Sequence, residues 1–113
     1  MKYYNLENRT LDFAKQIREF VKFLPKYISN IEYSKQLVRS SASVGANYRE
    51  ANESLSKKDF LFRIRISKKE AKETSYWLEL IEPNKKDLKI QEELLKESIE
   101  IMNILGSILR NAK

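Results

Sequence analysis

Residues 60–74 read FLFRIRISKKEAKET, and the first eight of them fit two structures. As a strand, Phe60, Phe62, Ile64 and Ile66 alternate against Arg63 and Arg65, giving a basic stripe over an apolar floor. As a helix, the arginines scatter to different sides and the basic surface has to be assembled from other spacings. The flanks decide between them. Ser56 with Asp59 makes a capping box, and Leu55 with Phe60 occupy the two positions of a hydrophobic staple, so a helix is expected from Lys57. Downstream, Phe60, Ile64, Ser67, Ala71, Thr74, Leu78 and Ile81 hold a heptad seam for three repeats, whereas the strand alternation stops after Ile66.

The composition points the same way. Only two glycines and two prolines occur in 113 residues, too little punctuation for the turns of an all-β domain. With 42% hydrophobic residues the chain is expected to form one domain, residues 1–113. Four helices are expected, at about 8–24, 30–54, 57–82 and 87–110. The first has Phe13, Ile17, Phe20 and Leu24 at 4-3-4 spacing and stops at Pro25. Ser29 and Glu32 fit a capping box for the second. Its stripe of Leu37, Ser41, Val44, Tyr48, Ala51 and Leu55 runs beside a polar stripe of Gln36, Ser40, Ser43, Asn47, Glu50 and Ser54. Both keep phase across Gly45, which favours a helix bent there over a loop at SSASVGAN. Short connections between such helices make an all-α, up-down-up-down four-helix bundle.

Several function classes drop out. Without histidine or cysteine there is no imidazole base, no thiolate and no zinc site built from either, so the expectation is a protein that is not an enzyme and holds no metal or cofactor. No apolar run approaches the roughly 20 residues that cross a bilayer. The charged start MKYYNLENR lacks the apolar core of a signal peptide, so a cytoplasmic address and no membrane partner are expected.

The surplus apolar residues bear on assembly. Phe62, Ile66, Tyr76, Trp77 and Leu80 form a second stripe on helix three, and helix four carries spare positions such as Ile99 and Ile104. Exposed apolar patches commonly mark interfaces, so homo-oligomerisation is expected through these seven residues. The alternative is that Tyr3, Tyr4 and Leu6 fold back over part of the patch.

Polar groups can be placed across the turn at residue 56. In an antiparallel pair, position i of helix two faces about 112 minus i of helix three, bringing Arg39 near Glu73 and Asn47 near Arg65. Gln36, Arg39, Ser43, Asn47 and Glu50 then form a structural polar network with Glu70 and Glu73. A buried Arg39–Glu73 pair is read as fixing register rather than as a ligand site, with about 3–5 kcal/mol lost when one partner is removed.

The net charge is +6, and residues 57–72 hold seven basic residues against Asp59 and Glu70. On a helix Lys58, Arg65 and Lys72 recur every seven residues as a ridge, flanked by Lys68 and Lys69. These five are the candidate nucleic-acid contacts, since each phosphate neutralised releases a counterion. Water-facing lysines are also ordinary, and Glu70, Glu73 and Glu79 offset some of them. No helix-turn-helix signature, RNA-binding strand motif or phosphate-cradling glycine loop accompanies the ridge.

QLVRSSASVGANYREA and SKKDFLFRIRISKKEAKETSYWLELI, preceded by NRTLDFAKQIREFVKFLP, resemble the bacterial four-helix-bundle family that includes proteins encoded within intervening sequences of 23S rRNA genes. The match covers residues 6–82. The family's Gln, Arg, Ser, small apolar, Asn and Glu positions fall on Gln36, Arg39, Ser43, Val44, Asn47 and Glu50. Many relatives have proline at the place of Gly45 and glycine at that of Ala51. The resemblance implies assembly into a ring, a homopentamer, as in the related accessory protein of diversity-generating retroelements, which binds nucleic acid and a reverse transcriptase. The resulting expectation is a non-enzymatic oligomeric bundle that binds RNA or DNA through a basic helix face. The alternative is a protein-binding scaffold or accessory subunit, for example of a reverse transcriptase, without nucleic-acid contact.

Overall fold

The computed structural model describes residues 5–112. Among them are four α-helices and no strand: α1 Leu6–Lys22, α2 Ile28–Asn52, α3 Lys57–Leu80 and α4 Leu88–Asn111, the last preceded by a 3-10 turn over Lys85–Asp87. Residues 60–66 are helical, and Ser56 caps α3 by accepting a hydrogen bond from the Asp59 N–H at 3.1 Å. The staple is absent, because Leu55 is 99% exposed while Phe60 turns toward the core.

α1 begins and ends two residues before the expected bounds. α2 begins at Ile28, also earlier than expected, and the Ser29–Glu32 capping box does not form. The reason is tertiary. Asn30 is buried, donates to the carbonyls of Pro25 and Glu82 at 3.0 and 2.9 Å, and accepts from the Glu82 N–H at 3.0 Å. That clamp ties the start of α2 to the chain leaving α3 and places Ser29 inside the helix.

Neighbouring helices pack in the order α1 on α2, α2 on α3, α3 on α4 and α4 back on α1, forming a helical bundle of 44 × 24 × 19 Å. Each contributes to one core: Phe13, Ile17 and Phe20, then Leu37 and Val44, then Ile64 and Leu78, then Ile101 and Leu105. Burying such a side chain contributes about 1.5–3 kcal/mol. Small residues let α2, α3 and α4 approach closely. Ser67 Oγ donates to the Val44 carbonyl at 2.7 Å, Thr74 Oγ1 to Ser40 Oγ at 2.8 Å, and Ser98 Oγ to the Ala71 carbonyl at 2.9 Å. Along α2 these partners rise in number as they fall along α3, so the pair runs antiparallel. Every buried side-chain nitrogen and oxygen among the described residues is hydrogen-bonded.

α2 runs uninterrupted through Gly45, as expected of a helix rather than a loop at SSASVGAN, and the glycine has a packing role there. A Cβ at 45 would stand 2.8 Å from Thr10 Oγ1 and 3.2 Å from its Cβ. The residue gives α1 room to cross. Between the far ends of α1 and α4 the bundle is looser: a groove of about 500 Å³ opens over Phe20, Phe23, Ile90 and Leu94. At the other end of α1, Arg9 fastens the pair by donating to both Glu97 oxygens at 2.7 Å and to Glu100 at 2.8 Å. Glu97, and to a lesser extent Glu100, raise the Arg9 pKa against the opposing effect of burial.

Candidate nucleic-acid interface

α3 carries the charge, and its two flanks differ. On the flank toward α2, Arg39 reaches from one helix to two carboxylates on the other, donating to Glu70 at 3.2 Å and to Glu73. Gln36 accepts from Arg39 Nε at 3.2 Å, and Asn47 accepts from Arg63 Nη1 at 3.2 Å while donating to the Ser43 carbonyl. Asn47 thus meets Arg63 rather than Arg65, which lies about 200° further round the helix and faces solvent. Glu50 is exposed and makes no side-chain bond to this network. The Arg39 pair is also less sheltered than its sequence position suggests, since the arginine side chain is 46% exposed.

On the opposite flank the picture changes. Lys58, Arg65, Lys68, Lys69 and Lys72 are all exposed, and none has an ion-pair partner among the described residues. Two acids of α3 are engaged elsewhere, since Glu70 and Glu73 face Arg39, while Asp59 lies in the first turn, where its N–H serves the Ser56 cap. Glu79 is free but lies one heptad beyond Lys72, about 10 Å along the axis. Between Lys58 and Lys72 the helix therefore turns Glu70 and Glu73 toward α2 and leaves its five exposed cations without an ion-pair partner among the described residues.

The predicted interface residues differ in exposure. Phe62 and Tyr76 are each 56% exposed on α3, and Ile99 is exposed on α4. Ile66 and Leu80 are half-buried. Trp77 belongs to the α2 flank, where it stacks on Tyr33 with ring centroids 6.0 Å apart, meets the edge of Tyr76, and donates to Glu73 at 3.4 Å. Ile104, like Trp77, packs against the core. Of the residues expected to cover the patch, Tyr3 and Tyr4 lie outside the described residues, and Leu6 is fully buried in the core.

Two features escaped the sequence reading. The groove between α1 and α4 depends on how those helices diverge, which no local pattern encodes. Arg110 is the other: it belongs to α4, yet its guanidinium comes beside Lys68 across Gly106.

Neither a metal cluster nor a helix long and apolar enough to cross a membrane occurs among the described residues. Residues 4–107 match the family model described as 23S rRNA-intervening sequence protein. The chain is also similar to a crystal structure from Bacteroides thetaiotaomicron VPI-5482, of a protein of unknown function from the S23 ribosomal protein family. The two are 37% identical with a TM-score of 0.80, over 93% of this chain and 98% of that one. A search of curated proteins finds no match.

Proposed function

Because the chain belongs to the 23S rRNA-intervening sequence protein family, we propose that it is a non-enzymatic, homo-oligomeric up-down-up-down bundle that binds RNA or DNA through the outer flank of α3. The observation that carries this reading is the segregation of charge on α3: Lys58, Arg65, Lys68, Lys69 and Lys72 stand unpaired while the neighbouring acids serve Arg39. Cations left without carboxylates are available to phosphates, and their contacts gain from counterion release. Exposed Tyr76, on the same helix, offers a ring on which a base can stack.

Assembly deepens the effect. Phe62, Tyr76 and Ile99 leave apolar area on the solvent side, which a second copy would cover, and a ring of five copies follows from the family resemblance. Repeating the ridge around such a ring multiplies weak phosphate contacts into avidity.

Fluorescence titration of a labelled structured RNA tests the reading. The wild-type chain should bind at low salt, and Arg65→Glu with Lys72→Glu should weaken it at least tenfold without loss of helicity. The groove over Phe20, Phe23, Ile90 and Leu94 favours a second reading, a scaffold or accessory subunit that takes a protein partner there, a reverse transcriptase being the example the resemblance suggests. Absence of RNA and DNA binding at low salt would select that reading.

A further inference from the structure

We propose that Gly106 forms a notch in which Lys68 and Arg110 together seat one backbone phosphate of a single-stranded nucleic acid. The proposal rests on the nucleic-acid reading of α3 and adds a place and a second helix to it.

Gly106 lies in the last turns of α4, where glycine is an unfavourable choice. Its backbone does not explain it, since no glycine among the described residues has a positive φ. Close packing does not explain it either. At Gly45 a neighbouring side chain blocks the Cβ position, but at Gly106 the nearest atoms are Arg110 Nη1 at 3.4 Å, Lys68 Cε at 3.6 Å and Lys68 Nζ at 3.8 Å. These are ordinary contact distances made by the ends of two flexible cationic side chains. Gly106 is buried, and the atoms that cover its Cβ position are the ends of two cationic side chains.

Two positive groups meeting over one spot repel each other, and no carboxylate among the described residues pairs with either. An anion placed over the notch turns that repulsion into two charge-assisted hydrogen bonds, one from an ammonium and one from a guanidinium. Lys68 and Arg110 are exposed and their ends cover the buried Gly106, so a phosphate reaches the two cations from the solvent side. Arg65 and Lys72 lie about one turn to either side of Lys68, in line to meet the flanking phosphates. Tyr76, one turn beyond Lys72, is exposed for stacking, which a single strand permits and a closed duplex does not.

The test is a titration of fluorescein-labelled single-stranded RNA at several salt concentrations. Arg110→Gln should weaken binding several-fold and reduce the slope of log K against log salt by about 0.7. Gly106→Leu should weaken binding with net charge unchanged, by pushing the two cationic ends apart. Lys89→Gln, at the opposite end of α4, removes the same charge as Arg110→Gln and should leave affinity near that of the wild type. Equal behaviour of Arg110→Gln and Lys89→Gln, in a wild-type chain that binds and loses binding with Arg65→Glu and Lys72→Glu, overturns the notch alone. A wild-type chain that does not bind at low salt overturns the α3 reading and the notch with it. Arg110 is a surface residue, so its variant decides the matter even where Gly106→Leu fails to fold.

Discussion

Thr10 Oγ1 lies 2.8 Å from the point that a Cβ on Gly45 would occupy, which makes this pair the tightest helix crossing the two glycines reveal. The hydroxyl is held there by hydrogen bonds to the carbonyls of Leu6 at 2.8 Å and Glu7 at 3.1 Å, so it cannot swing aside freely.

Gly45→Ala should therefore destabilise the protein even though alanine is the better helix former by about 1 kcal/mol. Overpacking of a closed crossing costs about 1–3 kcal/mol, so a small net loss is expected by urea denaturation at fixed protomer concentration. Removing the obstructing hydroxyl with Thr10→Ala in the same chain should recover part of it. A Gly45→Ala chain more stable than the wild type contradicts the close approach.

Arg39→Ala should cost about 1 kcal/mol or less, and the cost should shrink in high salt. The larger loss expected for a buried pair does not apply, because nearly half of the arginine side chain meets solvent while Glu70 and Glu73 are the more sheltered partners. A loss of several kcal/mol would show that another copy buries the pair on assembly.

Light scattering coupled to size exclusion should give a mass that is a multiple of 13.4 kDa, and five protomers on the proposed ring. Phe62→Glu with Tyr76→Glu should shift the mass downward while the helices remain. A wild-type mass of one protomer overturns the oligomeric part of the account.

The helix at residues 60–66 was legible because its signals were local and repeated. Ser56 caps through Asp59, and Ile64, Ser67, Ala71, Thr74 and Leu78 are all buried. The pairing of α2 with α3 was legible too, since a short turn fixes register, and Arg39 indeed reaches Glu73. The start of α2 was not, because Asn30 bonds to residues 52 positions away, and no local pattern reports that. Leu55 misled for a similar reason: the staple pattern names a partner but not the direction in which the turn carries it. The ridge of lysines follows from a seven-residue spacing, whereas the meeting of Lys68 with Arg110 depends on the register between α3 and α4. In the candidate interface, sequence thus located the charges on one helix and missed the charge added by its neighbour.

The salt dependence of RNA affinity for the wild-type chain tests the central claim most directly. Contacts from four or five α3 cations predict that log K falls against log salt with a slope of about −3 for a single strand. A flat salt profile, or no binding at all near 50 mM salt, would contradict the assignment of α3 as a phosphate-binding surface.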